Sequence, residues 1–94
     1  MGEYLSTIGE SLTLDVTVRA LTPASYLHAI QAEIFPEGGP MRCYFDGRSP
    51  TSTAGVKVFE GGSVRLQSPS EIAAFRYVKS SDGVSGIIEA VYRK

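Results

Sequence analysis

From Ser11 to Arg19 apolar and polar residues alternate without a break. Leu12, Leu14, Val16 and Val18 fall on one side, and Thr13, Asp15, Thr17 and Arg19 on the other. A period of two belongs to a strand with one buried face, so the four apolar residues are expected inward. Leu21-Thr22-Pro23-Ala24-Ser25 interrupts the pattern. Thr22 followed by Pro23 has the chemistry of a helix start and would allow a short helix through Gln31. The alternation from His28 to Phe35 favours a turn at Pro23 and then a strand. Pro36-Glu37-Gly38-Gly39-Pro40 reads as a turn. Met41 to Phe45 then reads as the returning strand of a hairpin, with Met41, Cys43 and Phe45 inward and Arg42 and Tyr44 outward.

Asp46-Gly47 ends that strand, because Asp tolerates and Gly favours positive φ. Residues 48–55 are mostly Ser, Thr, Pro and Gly and are expected to form a surface loop. Val56 to Phe59 and Val64 to Leu66, joined by Glu60-Gly61-Gly62-Ser63, predict a second hairpin. Ser70-Glu71-Ile72 suits one helical turn. Ala73 to Lys79 alternates again, with Phe75 and Tyr77 opposite Arg76. After the turn Ser80-Ser81-Asp82-Gly83, Gly86 to Arg93 carries Ile88, Ala90 and Tyr92 on one face and Ile87 and Val91 on the other. That predicts a central strand covered on both sides. Six to eight short strands with frequent turns define an all-β domain, a small antiparallel β-sandwich or barrel. Residues 11–94 form its single domain. Residues 1–10 are expected to be an N-terminal arm or edge strand that offers Tyr4, Leu5 and Ile8 to a neighbour.

Composition narrows the picture. A chain of 94 residues is one domain. Its apolar fraction of 43% supports a packed core rather than disorder. The single cysteine, Cys43, excludes an intrachain disulfide, and its place on an apolar face predicts a buried structural thiol. The formal net charge of −1 lacks the basic excess that nucleic-acid binding draws on, so no nucleic-acid partner is expected. No run of about 18 apolar residues predicts a membrane span, and no signal-peptide pattern opens the chain.

Catalytic chemistry has little to stand on. His28 is the only histidine, so a triad or an imidazole metal site would have to rest on it. No nucleophile-elbow, zinc-protease or paired-cysteine motif is present. Gly38-Gly39 and Gly61-Gly62 suit turns better than phosphate loops. The expectation is a chain that is not an enzyme, with no catalytic, cofactor-binding or metal residues and no cofactor. Arg42, Arg65 and Arg76 fall at outward or intersheet positions, with Tyr44 and Tyr77 nearby in the pattern. Arginine interleaved with aromatic residues suits a nucleic-acid or sugar face, or a protein interface. The near-neutral charge favours protein. The candidate interface residues are therefore Tyr4, Leu5, Ile8, Arg42, Tyr44 and Arg76.

Several segments also match one pattern. They are Leu21-Thr22, Ala32-Glu33-Ile34, Met41-Arg42-Cys43-Tyr44-Phe45-Asp46-Gly47, Pro50-Thr51, Gly55 with Val56 to Phe59, Gly61-Gly62, Ala74-Phe75-Arg76-Tyr77-Val78 and Ile88-Glu89-Ala90-Val91-Tyr92. From Leu21 to Tyr92 the chain resembles small virion proteins of tailed bacteriophages. The resemblance implies a compact β-sandwich located in the virion. It further implies a capsid decoration or cement protein that stabilises the shell through protein–protein contacts. Its partners would be the major capsid protein or other virion proteins, and it would act as a homo-oligomer. A neck, tail or spike-base component is the alternative within that setting. A stand-alone carbohydrate- or peptide-binding β-module is the alternative outside it.

Overall fold

The computed structural model describes residues 7–93. Eight strands and two short helices follow one another as β1 (Thr7–Leu14), β2 (Arg19–Ala20), α1 (Pro23–Tyr26), β3 (Gln31–Glu37), β4 (Met41–Tyr44), β5 (Val56–Val58), β6 (Val64–Leu66), α2 (Pro69–Ala74), β7 (Arg76–Lys79) and β8 (Gly86–Arg93). They make two four-stranded antiparallel sheets, a β-sandwich. Sheet A has the order β1-β8-β3-β6 and sheet B the order β2-β7-β4-β5.

The period of two sorts side chains between the sheets. Sheet A sends Leu14, Ala32, Ile34, Leu66, Ile88, Ala90 and Tyr92 inward, and sheet B sends Met41, Cys43 and Tyr77 to meet them. Phe75, which follows α2, stacks on Tyr77 at 6.0 Å between ring centroids. One buried hydroxyl ties the layers, since Tyr77 donates to the Thr13 carbonyl at 3.0 Å, and a second braces sheet A, where Tyr92 donates to Glu10 Oε2 at 2.5 Å. Helix α2 starts where the sequence supplies a cap. The Ser68 hydroxyl accepts from the Glu71 N–H, and the Glu71 carboxylate accepts from the Gln67 N–H, so orphan donors at the helix start are satisfied. It buries Ile72 across one end of the sandwich.

Several expectations are corrected. The alternation through Val18 does not stay in one strand. β1 ends at Leu14, the chain bends at Asp15–Thr17 and crosses to sheet B, and Val16 is 79% exposed. Asp15 holds the bend by accepting from the Thr17 N–H and from the Arg19 guanidinium at 2.9 Å. Neither expected hairpin forms. β3 and β4 lie in different sheets, as do β5 and β6, so both glycine-rich turns are arches between layers. Local alternation is the same for a hairpin and an arch, because each simply reverses the chain. The Pro36 turn begins later than expected, since β3 runs on to Glu37. Proline is tolerated there because β6 stops pairing at Ile34↔Val64, leaving Pro36 no ladder bond to lose on that side.

At Pro23 the two readings divide the segment. A four-residue helix forms with Thr22 at its N-cap position, and a strand then starts at Gln31. β8 is central, between β1 and β3, but its second face is open, with Ile87 37% exposed. Residues 46–55 do form a loop, yet one packed on the outer face of sheet B. The loop buries Pro50 and is pinned where Ser81 N–H donates to the Ser52 carbonyl and Gly47 N–H to the Ala74 carbonyl.

Candidate functional site

Three of the candidate residues come together on the outer face of sheet B. Tyr44 on β4 lies opposite Arg76 on β7, and Arg42 lies on the same face two residues along β4, opposite Val78. Their alternation with buried Met41, Cys43 and Tyr77 is what turns them outward. On the far side of β7, Arg76 is paired with Ala20, whose small side chain leaves that flank open.

Each arginine is held differently. Arg76 Nη1 donates to the carbonyls of Ala73 and Phe75 at 2.9 and 2.8 Å, so the end of α2 orients it. Arg42 lies under the 46–55 loop. Its Nη1 donates to the Gly55 carbonyl at 3.0 Å, and its Nε is buried without a partner. Arg42 thus anchors the loop rather than facing a partner molecule. A fourth residue, Arg48, completes the surface. Its guanidinium carbon sits 4.0 Å from the centroid of the Tyr44 ring, and its Nε donates to both Asp46 oxygens at 3.1 and 2.9 Å. That pair lowers the Asp46 carboxyl below its ordinary range and raises Arg48. The chain can return over Tyr44 because Gly47 takes φ +89°, which a side chain would oppose.

Asp46, Arg48, Tyr44 and Arg76 therefore form a ridge of one carboxylate, one aromatic ring and two guanidinium groups with preset orientations. Guanidinium groups of this kind suit planar, bidentate recognition of carboxylates, and Tyr and Arg are enriched in protein interfaces. Asp46 and Arg48 are not marked by the alternation, because they fall in a turn and a loop. The signal was present in the spacing: a Tyr four residues before an Arg, with Asp-Gly between them, is the geometry of a returning turn.

Other expected site residues lie apart. Arg65 is on the outer face of sheet A, near Glu33 at 3.9 Å, and Tyr77 is buried in the core. Both are thereby removed from the Arg42–Tyr44–Arg76 grouping. Tyr4 and Leu5 lie outside the described residues, and Ile8 is placed in β1 opposite Tyr92. His28 is exposed, has φ +68°, and lines a shallow apolar depression with Tyr26, Leu27, Ile30 and Pro69. A second depression gathers Phe35, Glu37, Glu60 and Glu89 on the outer side of sheet A. Cys43 is fully buried, and burial pushes its thiol up to about 12. Among the described residues, no group of three or more His, Cys, Asp or Glu is placed to hold a metal ion, and no helix is long and apolar enough to cross a membrane.

Comparison with protein-family models, with curated proteins and with solved structures yields no match.

Proposed function

We propose that this β-sandwich is a non-catalytic structural protein that works by protein–protein contact. Its setting is the virion of a tailed phage, where it decorates or cements the capsid shell. The observation that carries the contact reading is the ridge formed by Tyr44, Arg48 and Arg76. Arg48 is held by Asp46 and Arg76 by the carbonyls of Ala73 and Phe75, which lowers the rotamer entropy the two guanidinium groups lose on binding. The virion setting rests on the segments from Leu21 to Tyr92 that resemble phage virion proteins. A sugar-binding use of the ridge is disfavoured, because the exposed side of the Tyr44 ring is already stacked under Arg48.

The partner surface would carry carboxylates, matching the two guanidinium groups. Mass spectrometry of purified virions tests the setting. A shell-decorating protein is present in copies comparable to the major capsid protein, whereas a neck, tail or spike-base protein is far scarcer. Absence from particles would overturn the proposal. The pair of variants Tyr44→Ala and Arg76→Ala tests the surface, since each should release the protein from particles while leaving a folded domain.

A further inference from the structure

Each sheet has two edges, and three of the four edge strands are blunted. β2 has two residues including Arg19, β5 three including Lys57, and β6 three including Arg65. Short edges bearing cations are the usual protection against pairing with another chain. β1 is different. It is eight residues long and contains no proline, lysine or arginine. Its one-to-one register with β8, from Thr7↔Arg93 to Leu14↔Gly86, leaves no bulge.

The hydrogen-bond directions show which part of this edge is open. In an extended strand the N–H and C=O of one residue point to the same side, and those of the next residue to the other. The Arg93 carbonyl accepts from the Ile30 N–H, so Arg93 points toward β3. Alternate residues of β8, namely Tyr92, Ala90 and Ile88, therefore point toward β1, where they bond Ile8, Glu10 and Leu12. The odd-numbered residues of β1 must point away. Two bonds at its far end agree: the Thr13 carbonyl accepts from the Tyr77 hydroxyl, and the Asp15 carbonyl from the Lys79 N–H. Sheet B thus covers the edge at Thr13 and Asp15. Thr7, Gly9 and Ser11 present their peptide groups on a side where, among the described residues, no strand lies.

We infer that this open edge pairs with the same edge of a second copy, antiparallel about a two-fold axis at Gly9. That register sets Gly9 against Gly9 and Thr7 against Ser11 in both directions, and it uses every open peptide group. It also places Glu10 opposite Ile8. Moving the axis to Glu10 would oppose two carboxylates, and moving it to Ser11 would require the Thr13 edge that sheet B already covers. The pairing joins two copies of sheet A into one eight-stranded sheet, a closed isologous contact that does not propagate into fibres. The inference stands apart from the virion reading and from the Tyr44 ridge.

The test is the oligomeric state of the full chain by sedimentation, with amide exchange as a second readout. The expected result is a dimer in which the Gly9 and Ser11 amides exchange more slowly than in the dilute monomer. Ser11→Pro removes an outward N–H and leaves the backbone bonds to β8 intact, losing only the exposed Ser11 hydroxyl bond to Glu89, so it should weaken the dimer by at least about tenfold. Gly9→Lys sets two ammonium groups face to face at the axis. A Cβ at Gly9 meets only the Ala90 carbonyl oxygen, at 3.7 Å, so the monomer accommodates the change. This second variant decides the matter should Ser11→Pro fail to fold. A chain that stays monomeric at every concentration would overturn the inference. So would a dimer with unprotected Gly9 and Ser11 amides, or unchanged dimerisation in the folded variants. The last result would place the contact elsewhere or show the edge covered by another segment of the same chain.

Discussion

Adding one methyl group at Gly86 should be among the most damaging small changes to this fold. Gly86 opens β8 where the β3–β4 arch leaves sheet A. A Cβ built there would lie 2.1 Å from the Glu37 carbonyl oxygen and 3.1 Å from both the Glu37 carbonyl carbon and Gly38 Cα. The first distance is 0.9 Å inside the 3.0 Å that real Cβ atoms essentially never breach. All three obstacles are backbone, so no side chain can swing aside. Relief requires β3 and β8 to separate near Glu37↔Ile87, which strains the ladder, or the arch to shift at Gly38, itself held at φ +94°. Overpacking of this severity costs about 3 kcal/mol. For a domain of this size that corresponds to a fall of roughly 15 °C in Tm.

Gly9→Ala is the control, because it puts the same methyl on the neighbouring strand of the same sheet. There the only contact is at 3.7 Å and φ is ordinary, so the change should be neutral or stabilising by up to about 1 kcal/mol through the unfolded chain. Urea unfolding, at a concentration low enough to keep the chain monomeric, reads both variants. A Gly86→Ala protein within about 0.5 kcal/mol of the parent would refute the reasoning. Equal losses at Gly9 and Gly86 would refute it too, by showing that glycine itself rather than backbone proximity sets the cost.

Tyr77→Phe removes the hydroxyl that bridges sheet B to the Thr13 carbonyl, and urea unfolding should show a loss of about 1 kcal/mol with the fold retained. Asp82 is lowered from its ordinary 3.8 to about 2, first by its bond to Lys57 and then by the Ser80 hydroxyl. A carboxyl depressed in the folded state stabilises above its unfolded pKa, and that gain disappears as pH falls through the folded value. The stability advantage of the parent over Asp82→Asn should therefore be full above about pH 5, fall as pH drops through 3.8 toward 2, be lost below about pH 2, and shrink with added salt because the pair is exposed. Burial raises the Cys43 thiol to about 12, so a thiol reagent at pH 8 should react at the rate of unfolding. Fast reaction with the native protein would contradict the burial.

The strands were readable from the chain because their alternation is local. β4 and β8 carry apolar side chains at every second position, and the sheets bury those positions, whereas β7 buries the adjacent Tyr77 and Val78 because the 46–55 loop covers its outer face. Sheet membership was not readable. Pro36 to Pro40 and Glu60 to Ser63 carry the same turn residues whether the next strand returns beside its predecessor or crosses to the opposite layer. The difference is settled by distant partners, such as β8 arriving between β1 and β3. The site was half legible for the same reason. Alternation alone turns Arg42, Tyr44 and Arg76 outward, but only the fold shows that the loop covers Arg42 and that Arg48 returns over Tyr44.

The edge and the ridge have a geometric relation that bears on how the protein would hold a surface. In the proposed pairing, even-numbered residues of β1 oppose even-numbered residues, so the inner faces of both copies of sheet A lie on one side of the joined sheet. Each copy of sheet B covers that side, and its outer face looks away from the pair in the same direction as its twin. A dimer made through β1 therefore presents two Tyr44–Arg48–Arg76 ridges to one target. Two linked contacts bind more tightly than either alone, by about 10² to 10⁴ when geometry lets both engage. Ser11→Pro, with its ridge intact, should then bind particles far more weakly than the parent, although no residue of the contact has changed. Equal binding by this monomeric variant would show that one ridge suffices and that the two-fold pairing serves some other end.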